Sequence, residues 1–445
     1  MAYDDKTAEL GAVLDRISPH FRDAESAGPF AQLFLAASDH APLNKIPAPV
    51  LAALVEAAFE FHAARRPGSH QISIQRVEGA APDGGARSVV QIVNDDMPFL
   101  VDSALAELQA KSHNVYAVLH PIMKVERGRD GTRQAIVGRG DENWGDGLQE
   151  SLFFAIIEAL SDDEARELHA SLNRVMQQVR AAVADWQPMI SRLKAVLDDY
   201  VRTPPPVAPG VLSESLEFCR WLIEGQFTFL GMRDYKLVGD ADTGQLEKAD
   251  DTGLGVLRDP DVLVLSKGGK PLEITPEIRR HMFSQHPLII TKSDIRSHVH
   301  RSAYMDFVGL KRYGSDGQQT GELRIVGLFT SQAYTERPSA IPFLRQKVNA
   351  VLRSTGYAAG SHDAKALMNV LENFPREELF RIGDRMLAEW ARAILDLDLR
   401  PRVRLLMRRD RFDRVVSALV YVPRERFSTR IREQIGEALA RELDG

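Results

Sequence analysis

Residues 88–127 read SVVQIVNDDMPFLVDSALAELQAKSHNVYAVLHPIMKVER, and the changing pattern along this stretch predicts the fold. SVVQIV is rich in β-branched residues, which is typical of a buried strand. Leu100, Ala104 and Leu108 then recur at helical spacing. NVYAVLHPIMKVER has strand character again. The stretch therefore predicts a strand, a helix and a second strand in succession.

The flanking sequence extends this pattern in both directions. HQISIQRVE, residues 70–78, alternates apolar and polar side chains as a half-buried strand does. A Gly- and Asp-rich loop covers about residues 128–147, SLFFAIIEAL at 151–160 predicts another strand, and two helices fill 162–202. The module runs strand, helix, strand, strand, helix, so we expect an α+β sandwich with helices on one face of an antiparallel sheet.

The same patterns divide the whole chain into segments. TPPPVAPG, residues 203–210, is the clearest linker because three consecutive prolines cannot continue a helix. The predicted segments are an N-terminal helical segment at 1–67, the α+β module at 68–202, a module of short antiparallel strands at 211–358, a helical linker at 361–397 and a partial domain at 399–445.

The last three segments carry specific expectations. VLVLS, residues 262–266, is predicted as a strand, and Gly314 to Gly317 as the turn of a hairpin. Residues 361–397 are predicted as two helices. The strand–strand–helix at 399–445 is too small to bury both its faces, so this domain reads as truncated.

Composition predicts a cytoplasmic protein without a membrane partner. The chain has 445 residues, 44% of them hydrophobic and 27% charged, and a net charge of −6. Its apolar stretches reach about ten residues, whereas a membrane span needs about twenty. The single cysteine, Cys219, forms no disulfide within the chain and reads as a small buried hydrophobe.

The chemistry-bearing motifs of common enzymes are absent from the sequence. No G-x-G-x-x-G or G-x-x-x-x-G-K-[ST] occurs, so we expect this chain to bind neither NAD nor a nucleotide and to carry no catalytic residue. His298 and His300 stand two residues apart, but no HExxH or cysteine pair supports them. We therefore predict no metal site.

An arginine-rich stretch near the end of the chain raises the question whether the protein binds nucleic acid. Its arginines are residues 400, 402, 404, 408, 409, 411, 414, 424, 426, 430 and 432. Nucleic-acid binding would also need interleaved stacking aromatics or a reading helix. The window offers only Phe412, Tyr421 and Phe427, so we interpret it as a solvated or subunit-facing surface and predict no nucleic-acid partner.

The best candidate binding site lies where the first strand turns into the helix. Backbone N–H groups at a helix start carry partial positive charge and bind carboxylates, while side-chain carboxylates beside them accept an amino group. That chemistry suits an amino acid effector. The simpler alternative is that Asp95 or Asp96 caps the helix and Pro98 occupies its first turn. The candidate residues are Asn94, Asp95, Asp96, Met97, Pro98, Phe99 and Asp102.

Several long strings resemble the N-terminal region of the large bacterial NAD-specific glutamate dehydrogenases. They occur in order along nearly the whole chain, and their length makes the resemblance specific. The strings are VNDDMPFLVDS, HPIMKVERG, GQFTFLGMRDYKL, LIITKSDIRSHVHRSAYMDFVGLKRY, GLFTSQAYTERPSAIPFLRQKV and VVSALVYVPRERFSTRIR.

This resemblance implies a role in amino acid catabolism. The family oxidatively deaminates L-glutamate to 2-oxoglutarate and ammonium while reducing NAD, and its catalytic domain lies far downstream of ACT-type and PAS-like domains. It implies an ACT-like βαββαβ domain at 68–202, a PAS-like module at 211–358 and a truncated second ACT-like domain from 399. ACT domains often bind amino acids at an Asp-x-Pro-Gly-like turn, and here Asp96-Met97-Pro98 is followed by Phe99.

Two hypotheses of different classes follow. The first is a regulatory and assembly region of a glutamate dehydrogenase, allosterically controlled, whose partners are the downstream catalytic domain and other subunits of a homo-oligomer. The second is a stand-alone sensor built from ACT-like and PAS-like modules, without catalytic activity. The coding sequence after residue 445 discriminates between them, because only the first predicts a continuing frame with a Gly-rich βαβ pattern.

Overall fold

A computed structural model shows a mixed helix-and-sheet protein made of two units. One unit is Met1–Ala184 with Arg296–Ala303, and the other is Asp185–Ile295 with Tyr304–Gly445. The structure describes residues 2–36, 39–139, 147–239, 244–267, 270–271, 275–284, 286–410, 412 and 415–443.

The first unit is built on an antiparallel sheet. Its strands are ordered β1-β2-β6-β4-β5, and β3 also pairs with β6. The helices are α1 (Ala2–Ile17), α2 (Ala24–Ala36), α3 (His40–Leu43), α4 (Ala48–Phe61), α5 (Leu100–Ala110) and α6 (Asp162–Ala184). The strands are β1 (Gln71–Val77), β2 (Arg87–Asp95), β3 (Val115–Leu119), β4 (Ile122–Arg127), β5 (Arg133–Arg139) and β6 (Leu148–Glu158).

Both faces of this sheet are covered, whereas the sequence predicted helices on one face. Val89 and Val93 of β2 share a core with Phe34 of α2 and with other apolar residues of α1 to α4. Val90 and Ile92 point to the opposite face and are also buried. The N-terminal helices therefore belong to the first core, because their apolar stripes cover a face that would otherwise meet water.

Two further expectations for this unit are corrected. The single strand predicted over NVYAVLHPIMKVER is two strands, β3 and β4, interrupted at His120 and Pro121, and both pair with β6. Proline has no N–H to donate to a ladder, which explains the break. The predicted loop at 128–147 contains β5, which pairs with β4. Residues 140–146 of that loop lie outside the described part of the chain.

The second unit carries a larger set of helices and strands. The helices are α7 (Trp186–Arg202), α8 (Pro209–Trp221), α9 (Pro276–Met282), α10 (Ser331–Thr335), α11 (Leu344–Thr355), α12 (His362–Glu372), α13 (Arg376–Arg381), α14 (Asp384–Leu399) and α15 (Thr429–Leu443). The strands are β7 (Phe227–Val238), β8 (Gln245–Lys248), β9 (Leu254–Gly255), β10 (Ser266–Lys267), β11 (Lys270–Pro271), β12 (Leu288–Arg296), β13 (Tyr304–Tyr313), β14 (Gln319–Phe329), β15 (Arg404–Arg409) and β16 (Val416–Tyr421).

The main sheet of this unit is ordered β12-β13-β14-β7-β8, with β9 against β7. β13 and β14 form the predicted antiparallel hairpin, closed by a turn in which Gly317 adopts a positive φ of 77°. Gly356 caps α11 in the left-handed conformation, which glycine adopts readily. β15 and β16 form a separate antiparallel pair.

Several helices of the second unit differ from expectation. α7 was expected with the first module, but Leu193, Val196 and Tyr200 of α7 are buried in the second core. Residues 361–399 form three helices, α12, α13 and α14, because Pro375 and Gly383 interrupt the helical run. VLVLS is strand only at its end, Ser266, although Val264 is buried.

Across the described residues, every helix is too short or too polar to cross a membrane.

Candidate functional site

The predicted binding turn lies between β2 and α5, but its helix begins differently from expectation. α5 starts at Leu100, and Phe99 is its N-cap with a left-handed φ of 75° and no side-chain capping bond. The expectation that Asp95 or Asp96 caps the helix is therefore wrong, and Pro98 precedes the first turn rather than occupying it. Phe99 takes the backbone conformation that glycine adopts most readily.

Two arginines bind the Asp95 carboxylate. Its carboxylate accepts hydrogen bonds from Arg65 Nη2 at 2.7 Å, Arg180 Nη1 at 2.9 Å and the Gly68 N–H at 3.0 Å. Burial alone would raise the pKa of Asp95, but the hydrogen bonds from Arg180 and Arg65 outweigh it and hold that pKa below its usual range. Two guanidinium groups and a backbone N–H therefore already compensate this carboxylate.

The neighbouring candidates are also engaged. Asn94 is buried, its Oδ1 accepts from Arg180 Nη2 and its Nδ2 lies 4.0 Å from Met97 Sδ. The Asp96 N–H donates to the Gln149 carbonyl at 2.9 Å, which ties the turn to β6. These contacts fix the turn between strand and helix.

A buried ion network lies next to the turn. Glu150 is fully buried and accepts from Arg65 Nη2 at 2.6 Å and from Arg127 Nε at 2.6 Å, while His62 Nε2 lies 3.0 Å from its other oxygen. Burial raises the pKa of Glu150, but hydrogen bonds from Arg127 and Arg65, together with the nearby His62 ring, outweigh it and hold that pKa well below its usual range. Arg65 joins this network to Asp95.

The exposed start of α5 meets a segment from far along the chain, Arg296–Ala303. His300 Nδ1 lies 3.0 Å from Asp102 Oδ2, and the His300 N–H donates to Ser103 Oγ at 2.9 Å. The His300 ring also packs on Phe99, with 5.2 Å between ring centroids. Asp102 therefore has a histidine partner.

One turn further along α5, Glu107 makes the second link to this segment. His298 Nδ1 lies 3.3 Å from Glu107 Oε2, and Ser171 Oγ donates to the other oxygen. The hydrogen bond from His298 is the largest cause that lowers the pKa of Glu107 to about 2, and it prevails over burial. His298 and His300 are thus hydrogen-bonded histidines.

The arrangement offers anion-binding N–H groups but no activated nucleophile. Cys219 lies in the second core, where burial raises the pKa of its thiol to about 12, so it behaves as the predicted hydrophobe. Within the described ranges, no three His, Cys, Asp or Glu side chains come together to hold a metal ion.

The sequence did not identify the residues that form hydrogen bonds with the polar side chains of this turn. Arg65, Arg180 and His300 come from a loop, a helix and a distant segment, and no local pattern connects them to residues 94–102. The only signal was that cations were needed to balance a partly buried Asp95 and a buried Glu150.

Comparison with known families matches three segments of the chain to parts of glutamate dehydrogenases. Residues 30–172 match the glutamate dehydrogenase ACT1 domain, residues 341–400 match glutamate dehydrogenase helical motif 1, and residues 404–445 match the glutamate dehydrogenase ACT2 domain. The helical motif match includes α11, which the sequence grouped with the preceding strands.

Three curated relatives agree, each an NAD-specific glutamate dehydrogenase. The protein of Halomonas elongata is 35% identical over 359 residues, and that of Pseudomonas aeruginosa 31% identical over 359 residues; each alignment covers 80% of this chain and 22% of the relative. The protein of Mycobacterium tuberculosis is 27% identical over 416 residues, covering 92% of this chain and 24% of the relative. The chain thus spans about a fifth to a quarter of its relatives' length. It belongs to the NAD-specific glutamate dehydrogenase family.

Proposed function

We propose that this chain is the regulatory and assembly region of an NAD-specific glutamate dehydrogenase that serves amino acid catabolism in the cytoplasm. The parent reaction is L-glutamate + NAD⁺ + H₂O to 2-oxoglutarate + NH₄⁺ + NADH. The observation that carries the proposal is the ordered match to ACT1, helical motif 1 and ACT2 segments in a chain spanning 22% of two relatives. Its proposed partners are the catalytic domain and other subunits of a homo-oligomer.

The finer architecture in this proposal is an ACT-like domain followed by a PAS-like module. In the first unit, β2, α5, the broken strand β3–β4, β6 and α6 follow the strand–helix–strand–strand–helix order of an ACT-like plan, to which β1 and β5 are additional strands. In the second, the sheet β12-β13-β14-β7-β8 supports the PAS-like assignment. β15, β16 and α15 would begin the second ACT-like domain.

The parent enzyme would use NAD, and we propose that this chain binds none. The sequence contains no Gly-rich phosphate-binding loop. The test is an assay of the purified 445-residue chain for glutamate-dependent NADH formation. We expect no rate above background, with a full-length glutamate dehydrogenase as positive control. A reproducible glutamate-dependent rate from this chain would contradict the proposal.

The effector within this proposal is an amino acid at the turn formed by Asn94, Asp95, Asp96, Met97, Pro98, Phe99 and Asp102. What supports it is the start of α5, where no side chain caps the N–H groups. Because Asp95 and Asp102 already have partners, Asp96 is the carboxylate best suited to an ammonium group. Calorimetric titration with a panel of amino acids should show binding that Asp96→Ala weakens. Absence of heat with every amino acid would leave assembly as the role.

A further inference from the structure

Two adjoining hollows in the second unit meet at the start of α14. Their volumes are about 390 and 510 Å³, and both are lined by Arg381, Gly383, Asp384 and Arg408. Volumes of this size are typical of small-molecule sites. The first hollow is otherwise walled largely by apolar side chains such as Ile290 and Phe380, and the second by polar ones.

Arg408 is a buried cation with an unused donor. Its side chain is 5% exposed, its Nε pairs with Glu378 and its Nη1 donates to the Arg409 carbonyl at 3.3 Å. Its buried Nη2 has no acceptor among the residues that the structure describes. A buried guanidinium N–H without an acceptor costs free energy, so an oxygen arriving there would be stabilised.

The helix start next to Arg408 also favours negative charge. α14 is 16 residues long, and its N-cap Gly383 provides no side chain to satisfy the first N–H groups. Arg381 is 12% exposed, and its Nε donates to the Glu377 carbonyl at 2.8 Å. Its Nη2 lies 3.8 Å from Glu378 Oε2 and 4.0 Å from Glu377 Oε2, beyond hydrogen-bonding distance.

The lining of the second hollow, of about 510 Å³, has more cationic than anionic side chains. It includes four arginines, at positions 381, 385, 408 and 409, against the two acids Asp384 and Glu389. Arg385 and Glu389 pair at 3.2 Å and offset each other, as Arg408 and Glu378 do.

We infer that a small oxyanion, the carboxylate or phosphate group of a metabolite-sized molecule, binds at this junction. Arg408, Arg381 and the first N–H groups of α14 would donate to its oxygens. α13 and α14 lie in the segment that matches helical motif 1, and Arg408 lies in the segment that matches ACT2. The bound anion would hold these two segments together, a role that goes beyond the proposed function and involves no residue of the turn at 94–102.

Binding can be measured on the 445-residue chain without any enzyme assay. Calorimetric titrations use inorganic phosphate and succinate as the two probes. The variants are Arg408→Lys, which keeps a charge opposite Glu378 but loses the fork of donors, and Arg381→Gln. Arg376→Lys is the matched control, since Arg376 and Arg408 are each 8% exposed as whole residues and Arg376 also has donors without acceptors, yet Arg376 lines neither hollow.

We expect the wild-type chain to bind at least one probe, and Arg408→Lys and Arg381→Gln each to weaken it about tenfold or more. Arg376→Lys and Asp96→Ala should leave the affinity unchanged. Preference for phosphate or succinate identifies the group that the site accepts. The inference is overturned if neither probe binds up to about 10 mM, a ceiling that covers weak sites. It is equally overturned if Arg408→Lys and Arg381→Gln both bind as tightly as the wild type.

Discussion

At the scale of single residues, two phenylalanines are held in a backbone conformation that suits glycine. Phe99 and Phe343 follow a proline, precede a leucine and have positive φ angles of 75° and 70°. Each is the N-cap of a helix, α5 or α11. A bulky residue in this region is strained, so the surrounding contacts must hold it there.

The strain at Phe99 makes a testable prediction. Alanine and glycine both remove the ring, but only glycine also removes the strain of the left-handed conformation, which is worth roughly 1 kcal/mol. We therefore expect Phe99→Gly to have a larger free energy of unfolding than Phe99→Ala, measured by urea denaturation. The control is the exposed helical residue Gln109, where the alanine variant should be the more stable one. The same order at both positions would contradict the argument.

Glu107 makes stability depend on pH in the acid range. Its folded pKa is about 2, against about 4.3 in an unfolded chain. Because the folded pKa is lower, the stabilisation is complete above about pH 5 and is lost as the pH falls through 4.3 toward 2.

Glu107→Gln should remove part of this dependence. We expect the wild-type free energy of unfolding to fall between pH 5 and pH 3 by on the order of 1–2 kcal/mol more than that of Glu107→Gln. Urea denaturation across this range measures it. Glu78→Gln, at a surface carboxylate paired with Arg76, should keep the wild-type slope. Parallel curves for the wild type and Glu107→Gln would refute the link.

At the scale of elements, the pairing of β7 with β14 depends on close backbone approach. The register shifts between Val326 and Gly327. A Cβ on Gly327 would meet the Thr228 carbonyl oxygen and lie 2.5 Å from a Phe227 ring atom. Glycine is needed at this bulge because the facing atoms are backbone and a buried ring.

Gly327→Ala should therefore destabilise the second unit, by about 1–3 kcal/mol, the usual cost of overpacking. Hydrogen exchange of β7 and β14 amides would report the loss directly. Gly210, near the start of α8, is the matched control because a Cβ there would meet no atom within 4 Å. If the amides of both alanine variants exchange at the wild-type rate, the argument that close backbone approach requires glycine at position 327 is wrong.

At the scale of the whole molecule, charge argues against a nucleic-acid role. The net charge is −6 despite eleven arginines between residues 400 and 432. One of those arginines, Arg408, is not available, since it is buried against Glu378.

The chain should therefore not bind duplex DNA at about 0.15 M salt. A fluorescence anisotropy titration measures this, repeated at lower salt. Binding that weakens steeply as salt increases would contradict the prediction, because that slope counts the phosphates neutralised by the protein. Charge-reversed Arg430→Glu, on exposed α15, would then show whether the arginine-rich end is responsible.

Local pattern was sufficient for most of the elements. The β-branched run at 88–93, the helical repeat of Leu100, Ala104 and Leu108 and the turn at Gly314 to Gly317 each lie where the sequence predicts them, because hydrophobic period and turn chemistry act over a few residues. The strings that resemble the glutamate dehydrogenase family could also be recognised from the sequence alone. The ACT1, helical motif 1 and ACT2 matches agree with that resemblance.

Contacts between distant residues were decided only by the tertiary structure. The helices of residues 1–67 cover the second face of the first sheet, Arg65 and Arg180 take the carboxylate of Asp95, and His300 reaches Asp102 from 198 positions away. Nothing in local sequence encodes such pairings, because burying a charge requires a partner but leaves the partner's position in the chain open. Sequence by itself determined the elements and the family; the fold decided which carboxylates of the predicted binding turn remain available.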